Sequence, residues 1–152
     1  MSSVASARRC TGGLVRRVVA LTALALVIAG CNTRTPERWQ IPDGYVGWIV
    51  VQYKNPSCTP LPRSDGFILL RIPSSGRLCT SDPQPDGEAF DKYEYVKADG
   101  ASQEIDQRTM VWGGMASSTG RSFVFLGSEQ QLRSSSTSAE RLDTLCTTDL
   151  QC

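Results

Sequence analysis

Apolar positions fall into two regimes along the chain. From Val18 to Ile28 they run almost unbroken, with Arg8, Arg9, Arg16 and Arg17 ahead of them and the small residues Ala29 and Gly30 closing the run before Cys31. From Ile41 onward they come instead in short clusters separated by Pro, Gly, Asp and Ser, the spacing of strands and turns. Tyr45–Tyr53 is apolar on both parities, which predicts a central strand covered on both faces. Ile41-Pro42-Asp43-Gly44 before it is a turn signature. Phe67–Ile72 predicts a second strand, and Ser74-Ser75-Gly76 turns the chain into Arg77–Ser81 as a hairpin return. Lys92–Lys97 alternates charged and apolar residues, the pattern of a strand with one wet face, and Asp99-Gly100 follows as a tight turn. Residues 103–108 continue as an exposed return strand, Thr109–Gly114 is a short buried strand, and Ser122–Gly127 is the last. Ser128–Ser136 reads as soft and polar. Thr137-Ser138-Ala139-Glu140 has the T-x-x-E form of a capping box, with Ala139, Leu142 and Cys146 on one stripe of a short helix ending near Cys146. The predicted fold is mainly β: a small antiparallel β-sandwich or barrel-like domain with a short C-terminal helix.

The first regime sets the compartment. A basic start, an apolar core shorter than the roughly 20 residues of a spanning helix and a small-residue exit describe a cleaved export signal. Ile28-Ala29-Gly30-Cys31 resembles the bacterial lipobox, in which a thioether-linked diacylglycerol is attached to the cysteine before a signal peptidase cuts ahead of it. Acyl chains such as palmitate contribute about 0.8 kcal/mol for each buried CH₂, so two or three hold a protein on its membrane where one would not. Cys31 is therefore the expected lipidation site. The chain divides into a signal peptide at 1–30, a lipidated tether at 31–40 and the β domain at 41–152. Asn32 is not the aspartate that retains such proteins in the inner membrane under the enterobacterial rule, which favours the periplasmic side of the outer membrane.

Processing changes the charge balance. Removing the four leader arginines leaves 12 basic residues against 15 acidic ones, a formal charge of −3 in place of +1. No basic patch remains to argue for nucleic acid. Beyond Cys31 the processed chain has four cysteines, Cys58, Cys79, Cys146 and Cys152, and an even count in an oxidising envelope reads as disulfides. Three connectivities are possible. Local pairing, Cys58 with Cys79 and Cys146 with Cys152, is preferred because it ties one excursion and pins the chain end. A metal site has neither a histidine nor a C-x-x-C pair to start from, and no cofactor is expected.

Without histidine, a serine–histidine triad or a histidine-activated thiol cannot be assembled. Glu88 with Asp91, and Glu104 with Asp106, remain as carboxylate pairs for a cell-wall hydrolase, but both lie in polar segments that favour a solvated surface. Ser117, Ser118 and Thr119 read as a loop, and Gly113-Gly114 lacks the spacing and lysine of a phosphate loop. Tyr45, Trp48, Tyr93, Tyr95 and Trp112 are the candidates for an aromatic binding face, with core packing as the competing account.

The segments IPDGYVGWIVVQY (41–53), Cys58–Ser81 with its proline-rich loop and RIPSSGRLCTS return, Tyr93-Tyr95-Val96 and Met110-Val111-Trp112-Gly113-Gly114 together resemble the bacterial family DUF6843. The resemblance spans about Trp39 to Gly127 and leaves the C-terminal helix outside. It implies a small, mostly β domain often carried on exported lipoproteins, and it brings no established activity or catalytic residues. The expected function is a non-enzymatic, membrane-anchored module that binds another envelope protein. A small-ligand carrier with an aromatic pocket is the alternative, and the carboxylate hydrolase ranks below it.

Overall fold

Strand β1 (Glu37–Pro42) forms where the sequence suggests the end of a tether. Glu37, Trp39 and Ile41 all turn inward and are buried, at 3%, 3% and 0% exposure, so the period-2 pattern holds although its first inward residue is a carboxylate. Residues 37–40 therefore belong to the folded body. The structure, a computed structural model, describes residues 33–116 and 120–138. The leader with Cys31 and Asn32, the Ser117–Thr119 loop, the helix expected to end near Cys146 and the Cys146–Cys152 pair lie outside the described residues.

Two sheets face each other. The first holds β3 (Arg63–Ser64), β4 (Phe67–Arg71), β1, β6 (Lys92–Val96) and β7 (Ser102–Glu104), in that spatial order. The second holds β5 (Arg77–Cys79), β2 (Gly47–Gln52), β9 (Arg121–Leu126) and β8 (Val111–Ala116). Their inner faces share one core of Trp39, Ile41, Leu70, Ile72 and Tyr93 from the first sheet side, and Ile49, Val51, Tyr53, Val124 and Leu126 from the second. The mainly β sandwich expected from the strand spacing is present, and neither sheet closes into a barrel.

The all-antiparallel expectation is corrected. β1 runs parallel to both β4 and β6, and β2 runs parallel to β5. The reason lies in the route of the chain. β1 is followed by β2 in the opposite sheet, β4 by β5, and β6 with β7 by β8 with β9. A strand in the facing sheet thus acts as the crossover that a parallel pair requires, in place of the usual helix. Arg77–Cys79 is accordingly no hairpin return of β4; it pairs with β2 across Val50↔Arg77, Val51↔Leu78 and Gln52↔Cys79.

Turns and caps complete the frame. Tyr45 N–H donates to Pro42 O at 3.1 Å, and Gly44 sits at φ +74°, as the Pro-Asp-Gly signature requires. Gly76 is more constrained: at φ +72°, a Cβ there would stand 2.0 Å from the Tyr45 hydroxyl and 2.7 Å from Trp48 O. Only glycine lets the β4–β5 turn close onto the start of β2. Gln107–Met110, read as strand, instead forms a one-turn helix α1 capped by the Asp106 carboxylate. Glu129–Ser134, read as soft loop, forms helix α2 with a reciprocal capping box between Ser128 and Gln131.

Candidate functional site

The parallel arrangement brings the starts of β1 and β6 together, and charged groups far apart in sequence meet there. The Arg34 guanidinium grips the Asp91 carboxylate in a two-pronged pair, at 2.9 and 2.5 Å. It also donates to the carbonyls of Gly87 and Thr35. Asp91 accepts a third hydrogen bond from the Glu37 backbone N–H at 2.8 Å, so both its oxygens are bonded. The pair holds the Arg34 guanidinium above its ordinary pKa.

Glu37 is the buried carboxylate of this cluster. The Tyr53 hydroxyl donates to its Oε1 at 3.3 Å, and the Trp39 indole N–H points its way without reaching hydrogen-bonding geometry. Burial raises the Glu37 pKa, the Asp91 charge adds to the rise, and Arg34 offsets part of it. Desolvation first, with nearby acidic charge, likewise pushes the phenols of Tyr53 and Tyr93 up, so both stay protonated. Beside them, Glu37, Tyr53, Leu61 and Ile68 line a small cleft of about 200 Å³ rimmed by Arg34 and Arg63 and by Asp82 and Asp86. A wider, open hollow of about 590 Å³ adjoins it, lined among the described residues by Thr33, Arg34, Pro36 and Gly87–Phe90.

Because the folded-state pKa of Glu37 lies above its unfolded value, the native state binds more protons between the two values, and stability falls as pH rises through that window. Glu37→Gln removes this dependence. At pH 7 the variant should show an equal or higher urea midpoint than wild type, and the difference should shrink as the pH is lowered towards 4.5. A variant clearly less stable at pH 7 would mean that the carboxylate is held by more than burial and one phenol.

The residues singled out in the sequence are placed as follows. Tyr93 is buried and stacks on Trp39 with ring centroids 5.2 Å apart. Tyr45 and Tyr95 are half-buried against the core and bonded into it, Tyr45 donating to Trp48 O at 2.7 Å and Tyr95 to Tyr45 O at 3.1 Å. Trp48 lies on the outer face of the second sheet, edge-on to Phe125, with its indole N–H on Thr137 O. Trp112, in register with Phe125, donates to Gly127 O at 2.7 Å. The five aromatics thus divide between a core and the opposite side of one sheet and form no single binding face. Glu88 and Glu104 stay exposed, Asp106 caps α1, and Asp91 pairs with Arg34, so neither carboxylate pair is assembled as such. Cys58 and Cys79 are bonded, with Cα atoms 5.9 Å apart, as local pairing anticipates. Among the described residues no group of three or more metal-ligating side chains converges. Sequence spacing does not mark Arg34 and Glu37, because their partners lie more than 50 residues away, or 16 in the case of Tyr53; the one local signal is the shared parity of Glu37 with Trp39 and Ile41.

The model of DUF6843, a family of unknown function, matches residues 33–148. The chain belongs to the DUF6843 family. The match opens at Thr33, where the described fold begins, and extends past the Gly127 limit of the motif resemblance. A crystal structure of a Bacillus anthracis protein described as a candidate lipoprotein shares the fold, with a TM-score of 0.52 at 20% identity, covering 70% of this chain and 76% of that one. Among curated proteins no sequence matches the chain. For this DUF6843 member, the fold and the charge cluster are the ground on which function is argued.

Proposed function

We propose that this DUF6843 chain is a lipid-anchored protein of the bacterial envelope that works by holding another envelope protein, without catalysis. One observation carries the reading: Thr33, only two residues beyond the lipobox cysteine, is already bridged through its backbone to Glu88 in the folded body. A domain attached so closely to an acylated Cys31 is confined to the membrane surface, where an immobile partner is met at high effective concentration. The B. anthracis fold relative, described as a candidate lipoprotein, supports this reading. Asn32 after the anchor favours outward sorting.

The alternatives have less to rest on. For a small-ligand carrier, the cleft of about 200 Å³ is below the roughly 300–1,000 Å³ of a ligand site, and the adjoining hollow of about 590 Å³ is open and has Phe90 as the one aromatic side chain among its described lining residues. For hydrolysis, Glu37 would need a second free acid, yet Asp91 is ion-paired with Arg34 and bonded to the Glu37 amide.

Cys31→Ser is the direct test of the anchor. The variant should lose fatty-acid labelling and leave the membrane fraction, whereas unchanged labelling and fractionation would refute lipidation at this residue. Crosslinked capture from native envelopes tests the binding half: one stoichiometric partner is expected with wild type, and a marked loss of it when Cys31→Ser releases the domain.

A further inference from the structure

Phe90 is 95% exposed, by far the more exposed of the two large apolar side chains on the described surface; the other, Val46, is at 45%. Single exposed apolar residues are common and need no account by themselves. What distinguishes Phe90 is where it is held. Thr33 bridges to Glu88, Arg34 N–H donates to Glu88 O at 3.2 Å, and the Arg34 side chain binds Gly87 O and both oxygens of Asp91. The residues on both sides of Phe90 are thereby clamped, and its ring projects from a fixed loop.

The chain leading to Cys31 leaves from this same place. Two residues separate Cys31 from Thr33, a reach of about 7 Å at most. Phe90 is itself two residues from Glu88, so the ring and Thr33, the first described residue after Cys31, share one corner of the domain. The parallel strands β4, β1 and β6 all start at this end. Arg38 and Lys92 stand opposite each other there, with both cations over the Phe67 ring. An aromatic knob with basic neighbours is the composition of a membrane interface. Glu88 and Asp86 on the same loop oppose strongly anionic lipid, so the apolar ring is the principal contact.

Resting on the lipidation of Cys31, we propose that Phe90 enters the interfacial layer of the bilayer that holds the anchor, and so fixes the orientation of the domain. The Thr33 end then faces the lipid. The turn carrying Val46, beyond the far end of β1, faces away, about 20 Å higher by strand length.

Phe90→Trp and Val46→Trp in the full-length, processed protein test this. Each is reconstituted into phosphatidylcholine–phosphatidylglycerol vesicles, and the emission of wild type is subtracted to isolate the added indole. Vesicle flotation of the same samples reports the anchor separately. The F90W indole should be quenched by brominated lipid and shielded several-fold from iodide relative to a Cys31→Ser, F90W double variant. The V46W indole should respond to iodide and not to brominated lipid. Flotation with an iodide-accessible F90W indole would overturn the proposal while leaving the anchor intact. Failure to float would remove the anchor, and the proposal with it.

Discussion

Trp39→Ala is expected to cost about 3–5 kcal/mol of folding free energy, the range for truncating a buried aromatic. Trp39 lies in β1, the middle strand of the five-stranded sheet, in register with Leu70 on one side and Tyr93 on the other. It is 3% exposed, and its ring stacks on Tyr93. Its loss would open a cavity where both sheets contribute side chains, and the backbone of a centrally paired strand cannot collapse to fill it. Against the roughly 5–15 kcal/mol that stabilises a small domain, this is enough to leave the variant marginal. Trp39→Phe offers the contrast. Among the described residues the buried indole N–H has no hydrogen-bond partner, so phenylalanine removes an unsatisfied donor and retains most of the apolar volume. A cost below about 1.5 kcal/mol is expected for it. Urea unfolding of the two variants decides the matter: equal losses for both would show that the indole N–H is satisfied in solution.

Trp39 also shows where the sequence was legible. Period-2 alternation assigns faces well, and Lys92–Val96 and Arg121–Leu126 form strands close to where they are expected. In β1 the burial alternates too, but Glu37 occupies an inward position and Pro36 and Pro42 bracket the segment, so that ERWQIP resembles a spacer more than a strand. Alternation says nothing about which strands are neighbours. The parallel pairs therefore stayed hidden, since each arises from an excursion through the facing sheet and not from a local turn. The capping box at Ser128–Gln131 was present as S-x-x-Q but is followed by too few apolar residues to stand out as a helix.

The candidate site was less legible than the fold. Arg34, Glu37, Tyr53 and Asp91 carry no spacing that marks them as a set, and it is the parallel start of β1 and β6 that assembles them. The aromatic residues misled for a related reason. Tyrosine and tryptophan serve cores and interfaces alike, and here Tyr93 and Tyr95 point into the sandwich while Trp48 and Trp112 occupy the other side of the second sheet. Phe90 gave no pattern at all, being one apolar residue in a polar loop; its place beside Thr33 is visible only through the Glu88 bridge.

Removing the Cys58–Cys79 disulfide as the double variant Cys58→Ser, Cys79→Ser should lower stability by about 3 kcal/mol, as chain-entropy arguments give for a link spanning 21 residues. For a domain of this size, that corresponds to roughly a 10 °C fall in Tm. The loss is expected to be global. Around the bond, Asp82 accepts the Leu61 N–H at 2.8 Å, Asn55 N–H donates to Thr80 O and Lys54 N–H to Asp82 O. These contacts hold the Cys58–Leu61 loop in place in the native state without the sulfur link, so the double variant should keep its native near-ultraviolet spectrum below the transition. The double change also avoids leaving one reactive thiol to form wrong pairs. Thermal unfolding with and without reductant measures the effect, and a Tm unchanged in both the variant and the reduced wild type would show that the link constrains nothing the unfolded chain would otherwise explore.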